Sequence, residues 1–111
     1  MDKAVVEKLK AEYPTDDLHS IVSEEDGIEI VVRPASPAVM LKYESMKGEI
    51  GDPVKRVQAN EFLVLQAMVY PDKDKFREEL ERRCLTGFWS VAAPEVRTIT
   101  GARDSVRVKK L

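Results

Sequence analysis

The sequence predicts a mainly helical α+β domain, in which an N-terminal helix and a β-hairpin precede an antiparallel cluster of about four helices. Three patterns predict this class. Alternating apolar residues flank the pair Asp26-Gly27, which suits the turn of a tight hairpin. At Ser36-Pro37 and Asp52-Pro53 a capping side chain precedes a proline, which is a typical helix start. The apolar run at residues 62–69 is too short to cross a membrane and predicts a buried central helix.

Length and charge limit the possible functions. The 111 residues fit one domain, expected over residues 1–101, followed by a basic and flexible tail at residues 102–111. The 18 basic and 20 acidic residues give a net charge of −2, so no excess of Lys and Arg is available to neutralise phosphates. Neither nucleic acid nor a membrane surface is therefore expected as a partner, and no apolar run approaches the roughly 20 residues of a membrane span.

The N-terminal elements follow from apolar spacing and from turn residues. Residues 2–12 predict a short helix that ends before Pro14. Residues 18–22 and 28–33 predict the two strands of a hairpin around the turn at residues 24–27. A lone hairpin is barely stable in water, so we expect it to pack on the helices, with an outer edge open to strand addition.

Four helices are predicted after the hairpin: residues 37–47, 53–70, 73–84 and about 90–100, the last stopped by Gly101. In the central helix we expect Phe62, Leu65, Met68 and Val69 to hold the cluster together. The following helix should bury a stripe of Phe76, Leu80 and Cys84. The last helix should turn Trp89, Ala92, Val96 and Ile99 inward, with Pro94 tolerated only in its first turn.

The sequence contains no set of residues for a reaction. His19 and Cys84 are single occurrences, and one Cys with one His cannot build a zinc site. Cys84 is expected to be a small buried hydrophobic residue. The glycines are scattered singly, so no phosphate-binding loop is present. We therefore predict no enzymatic activity, no catalytic residue, no metal and no cofactor.

Charge is segregated along the chain. Residues 12–29 carry seven acids and no Lys or Arg, whereas residues 103–111 carry four bases and one acid. One interpretation is a solvated surface with a frayed tail; the other is that these segments orient a partner or make copies stack head to tail.

Several segments in order carry a family resemblance. They are Ile28-Glu29-Ile30-Val31-Val32-Arg33-Pro34, the helix bearing Tyr43, Val69-Tyr70-Pro71-Asp72, Phe76 with Leu80, Thr86-Gly87-Phe88, and Glu95-Val96 through Gly101. Over roughly residues 17–101 this order resembles the small tail assembly chaperones of long-tailed bacteriophages and prophages. Pro94 and the basic tail depart from that pattern.

The resemblance implies a non-enzymatic protein of the host cytoplasm that is absent from the mature virion. Such chaperones bind the tape measure protein and help recruit tail tube subunits. Tyr43, Tyr70, Phe88 and Trp89 are then candidate aromatic anchors, with the helices at residues 37–47 and 73–84 forming an apolar groove; Trp89 could equally be a core residue. Arg103 and Arg107 are candidate contacts of the tail. The alternatives are a structural tail or head–tail connector component and a small regulatory binding protein.

Overall fold

The computed structural model of this protein describes residues 2–48 and 51–101. Along these residues the elements are α1 (Lys3–Glu12), β1 (His19–Ser23), β2 (Ile28–Val32), α2 (Pro37–Met46), α3 (Pro53–Ala67), β3 (Met68–Tyr70), α4 (Lys73–Arg82) and α5 (Phe88–Ile99). The predicted mainly helical α+β class is confirmed, since 58% of the described residues are helical and the strands form one antiparallel sheet. The basic tail, for which the sequence made predictions, lies outside the described residues.

The helix starts lie where the capping residues predict them. The Ser36 side chain accepts a hydrogen bond from the Val39 N–H, and Pro37 occupies the first position of α2. The Asp52 carboxylate accepts hydrogen bonds from the backbone N–H groups of Val54 and Lys55, both at 3.1 Å. These carboxyl and hydroxyl oxygens satisfy N–H groups that have no partner within the helix, which fixes where each helix begins.

The sheet has the order β1-β2-β3, so β2 lies between two antiparallel neighbours. In the predicted hairpin His19 pairs with Val32 and Ser23 pairs with Ile28. The turn ends at Gly27, whose φ of +66° lies in the left-handed region that a glycine adopts at low cost.

The prediction that the central helix continues to Tyr70 is wrong. Helix α3 ends at Ala67, and Met68 turns to an extended conformation with ψ 134°. Residues Met68–Tyr70 then pair with the second edge of β2, where Val31 is opposite Tyr70. The apolar run is therefore shared between a helix and a strand, because the backbone groups on that edge of β2 need partners inside the protein.

The two faces of the sheet are covered by different helices. Ile28, Ile30 and Val32 belong to the main core and are at most 4% exposed, as the alternation predicts. Val31 points to the opposite face, where it lines a groove with Leu9 of α1, and both residues are buried at 6% exposure. The N-terminal helix thus covers the face of the hairpin that the helical cluster leaves open.

The central helix packs mainly against α2 and α5. The residues of α3 with no exposed surface are Ala59, Leu63, Val64 and Ala67. Of the residues expected to hold the cluster, Met68 is in the buried core at 2% exposure, whereas Phe62 and Leu65 are half-buried and pack against that core. Phe62 also lies beneath the Lys42 ammonium, 4.9 Å from its ring centre. Strand β3 separates α3 from α4 along the chain, and an ion pair between Arg77 and Glu61 at 2.7 Å connects the two helices.

Helix α5 begins two residues earlier than predicted, at Phe88, and this places Pro94 in its interior. Proline has no N–H, so the carbonyl of Ser90 lacks its usual helical donor. Pro94 is exposed to solvent, where water can reach that carbonyl, and the Thr98 hydroxyl donates to the Pro94 carbonyl at 3.0 Å. As predicted, Gly101 follows the helix end, with φ +93°. None of the helices within residues 2–48 and 51–101 has the length and apolarity that a membrane crossing requires.

Replacing Leu63 by Ala tests where the centre of the core lies. Leu63 is completely buried, so we expect the free energy of unfolding to fall by about 2–5 kcal/mol. Chemical denaturation monitored by circular dichroism measures the loss. Val54→Ala on the same helix is the control, because Val54 is 63% exposed and its truncation should change stability by less than about 0.5 kcal/mol.

Candidate interaction surfaces

Tyr43, predicted as a partner-binding anchor, is a core residue in this structure. Its side chain is 3% exposed, and its hydroxyl donates a hydrogen bond to Oδ1 of Asn60 at 3.2 Å. Asn60 is itself a buried polar residue of α3. A hydrogen bond that is shielded from solvent therefore joins α2 to α3. Each of the two buried polar groups has its partner in the other.

Phe88 and Trp89 are also inside the protein, at 7% and 2% exposure. Both rings meet Phe76 of α4 edge to face, with centroid distances of 5.7 and 5.8 Å. This geometry is the favoured one for aromatic pairs. Of the two interpretations left open by the sequence, the core role of Trp89 is the one found, and the two residues do not form an exposed pair.

Tyr70 is the one predicted anchor among the described residues that retains an accessible surface. It is half-buried on β3 and lines a shallow depression with Tyr13 and Arg33. Arg33 extends over the Tyr13 ring, 5.5 Å from its centre, and pairs with Asp16 at 3.1 Å. The two candidate tail contacts, Arg103 and Arg107, lie outside the described residues.

The two groups with chemical reactivity lie on different surfaces. Nε2 of His19 and Oδ2 of Asp17 are 2.7 Å apart beside the groove under α1. Cys84 lines another groove, with residues from β1 and α5. The Cys84 thiol therefore does not lie beside the His19 imidazole as a nucleophile beside its base. Within residues 2–48 and 51–101 no cluster of potential metal ligands is found.

The prediction that Cys84 is a buried part of the α4 stripe is wrong. Helix α4 ends at Arg82, and Cys84 is exposed with φ +57°. The Leu85 N–H donates to the Leu80 carbonyl at 2.9 Å, and the Cys84 N–H donates to the Glu81 carbonyl at 3.2 Å. This is the Schellman arrangement, in which the left-handed position is usually a glycine. Because a cysteine occupies this position and not the usual glycine, the sequence did not indicate that the helix ends here.

An exposed apolar surface that the sequence analysis missed lies on the first half of α3. Every residue from 53 to 58 is exposed, including Val54 at 63% and Val57 at 46%. These two valines, which we call the α3 ridge, are three residues apart and so lie on the same side of the helix. Lys55 and Arg56 lie between them. The sequence pattern that could have indicated this surface is the pair of valines at helical spacing among basic residues.

The second apolar surface, which we call the edge groove, lies between β1 and the start of α5. It measures about 350 Å³. Its apolar lining consists of Ile21, Val22, Cys84, Leu85, Phe88 and Val91. Val22 is 50% exposed and Val91 is 69% exposed, so the groove is open to solvent.

The hairpin turn beside this groove is fixed by α4. Nη2 of Arg83 donates to the backbone carbonyl of Asp26 at 2.7 Å, and the Asp26 carboxylate accepts from the Ser23 hydroxyl at 3.0 Å. A charged donor makes the first of these a strong hydrogen bond. The end of β1 and the edge groove are thus held in place from outside the sheet.

Comparisons with family models, curated protein sequences and solved structures give no match to this chain.

Substitution of Tyr43 by Phe tests whether its hydroxyl is a core element. The carbonyl of buried Asn60 would lose its donor, which should lower the free energy of unfolding by about 1–3 kcal/mol. Adding Asn60→Leu should recover much of that loss, because removing both polar partners leaves no unsatisfied group. If the double variant lost as much stability as the two single variants added together, the two side chains would not be coupled, and this would contradict the hydrogen bond.

Replacing Cys84 by Gly tests the left-handed helix end. A residue with a β-carbon costs roughly 1–2 kcal/mol in that conformation, and the greater freedom of glycine in the unfolded chain offsets part of the gain. We therefore expect Cys84→Gly to raise the free energy of unfolding by about 0.5–1 kcal/mol. Cys84→Ala is the matched control, since it removes the thiol and keeps the β-carbon; equal effects of both substitutions would disprove the conformational explanation.

Proposed function

We propose that this chain is a non-enzymatic tail assembly chaperone of a long-tailed bacteriophage or prophage. In this role it binds the tape measure protein and helps bring tail tube subunits to it. It acts in the host cytoplasm and is left out of the finished virion.

The observation that carries the proposal is the ordered set of sequence segments. The arginine–proline pair at residues 33–34 follows β2, Tyr43 lies in α2, and Tyr70-Pro71-Asp72 joins β3 to α4. The Gly87 break precedes α5, and Gly101 follows it. The arginine–proline pair, Tyr43 and the two glycines lie in the order that the resemblance implies, whereas Val69 and Tyr70 lie in β3 and not at the end of a helix. This agreement supports the proposal because the order of such boundaries is harder to match by chance than any one motif.

The α3 ridge supplies a surface of the kind that a helical client needs. Val54 and Val57 are exposed at helical spacing on a helix whose start is fixed by Asp52. A client helix with an apolar face can pack against such a ridge, and Lys55 and Arg56 can pair with acids at its rim.

The contacts first expected on α4 do not support client binding. Its apolar residues Phe76 and Leu80 are buried, and its exposed positions from 77 to 79 are Arg and Glu. On α2 Leu41 is 74% exposed, but the neighbouring apolar residues Val39 and Met40 pack on the core. We therefore place the client contact on the α3 ridge.

The test is binding to helical segments of the tape measure protein of the same phage or prophage. The variant Val54→Asp/Val57→Asp replaces the ridge with charge and should weaken co-purification by roughly tenfold or more, equivalent to about 1.4 kcal/mol. Ser45→Asp/Gln66→Asp adds the same charge at exposed positions of α2 and α3 and should bind as the unmodified chain does. Circular dichroism of each variant separates lost binding from lost folding.

A second measurement distinguishes a chaperone from a structural component. Mass spectrometry of purified particles should find no copy of this chain, whereas tail and connector proteins should be present in stoichiometric amounts. Presence of the chain in particles would reject the chaperone in favour of a structural tail or connector protein. Failure of every tape measure segment to bind the unmodified chain would also reject it.

A further inference from the structure

Strand β1 forms an open edge of the sheet. Its residues His19–Ser23 pair with β2 on one side, and no described strand lies on the other. The outward-facing N–H and C=O groups of such a strand are a ready template for another extended segment. Folded proteins commonly protect an edge with lysine or proline, and β1 has neither.

The edge groove lies directly beside this open edge. Ile21 shares the face of the sheet that carries Ile30, and Phe88 and Val91 of α5 continue the apolar surface beyond the strand. A strand added to β1 would have alternate side chains over this groove and the others on the opposite face. The site therefore suits a segment that alternates between apolar and polar residues.

The tail of this chain has that pattern. Val106 and Val108 alternate with Ser105, Arg107 and Lys109. With the two valines over the edge groove, the bases would lie on the other face and at the ends of the strand.

The charges of the two segments are complementary. Asp17 precedes β1 and Glu24 and Glu25 follow it, so acids flank both ends of the strand. Among the described residues no ion pair joins Glu24 or Glu25 to a base. In the tail Lys109 and Lys110 follow the two valines, and Arg103 precedes them with Asp104 beside it. Opposite charges at both ends favour encounter and set the register.

The direction of α5 indicates whether the tail that pairs with β1 comes from the same molecule or from another copy. Its first turn lines the edge groove near Ser23, whereas Thr100, just after its end, accepts a hydrogen bond from the Ala35 N–H at 3.1 Å. Ala35 lies beyond Val32, the partner of His19 at the other end of β1. A tail that returned to its own β1 would thus run parallel to it. A tail from another molecule is free to pair antiparallel, which gives the stronger hydrogen-bonded ladder.

From these observations we infer that the edge of β1 and the edge groove bind residues 106–110 of a second copy as a fourth, antiparallel strand. The donor and acceptor surfaces differ, so each copy has one of each, and association proceeds head to tail. A single strand buries less surface than a standard interface, so the association is weak and depends on concentration. This inference does not rest on the proposed chaperone function.

Sedimentation equilibrium of the full chain over a wide concentration range tests the inference. The apparent mass should rise with concentration, and added salt should lower it because the flanking charges are exposed. Val106→Asp/Val108→Asp in the tail and Cys84→Asp/Val91→Asp in the groove should each give a monomer. Matched controls add the same charge elsewhere, at Ala102→Asp/Ser105→Asp in the tail and Ser45→Asp/Gln66→Asp in the domain, and should still associate more strongly than the corresponding test variants.

Mixing the two monomeric variants gives the decisive result. The groove variant keeps an intact tail and the tail variant keeps an intact groove, so an equal mixture should form a dimer and nothing larger. Three results would overturn the inference: an unmodified chain that stays monomeric at every concentration, a tail variant that associates like the unmodified chain, or a mixture that stays monomeric while the unmodified chain associates.

Discussion

Strand β2 is enclosed on all four sides, and the arrangement of the other elements follows from that. Its two edges are hydrogen-bonded to β1 and β3. One face, carrying Ile30 and Val32, is buried in the main core, and the other, carrying Val31, is covered from the side of α1. A strand so enclosed needs a partner for every backbone group and a cover for both faces. The end of α3 therefore unwinds into β3, and the N-terminal helix docks across the hairpin.

Four of the seven aromatic side chains are buried in the core around this strand. Phe76, Phe88 and Trp89 form a mutually packed cluster, and Tyr43 is bonded to Asn60. The large apolar residues that are exposed are aliphatic: Leu41 on α2, the two valines of the α3 ridge, and Val22 and Val91 beside the edge groove. Small apolar patches of this kind suit weak and reversible contacts better than permanent ones, since affinity depends on well-packed anchors.

The candidate sites were predicted less well than the fold, and the reason is physical. Aromatic residues are equally suited to a core and to an interface. The residue type and sequence position of Trp89 or Tyr43 therefore do not show whether the side chain is buried or binds a partner. The two surfaces now assigned depend on which side of a helix or strand remains uncovered. For Val54 and Val57 that depends on where α2 and α5 pack along α3, which no local pattern contains.

The sequence by itself determined the features that depend on neighbours in the chain. Ser36 and Asp52 fixed helix starts, and Asp26-Gly27 fixed the hairpin, because caps and turns are satisfied by groups a few residues away. Only the tertiary structure decided that Met68 begins a strand, since its partner in β2 is distant in sequence and the same apolar run suits a buried helix equally well. It also decided that Cys84 is exposed in a left-handed turn, because the packing of Leu80 and Leu85 ends α4 there without a glycine.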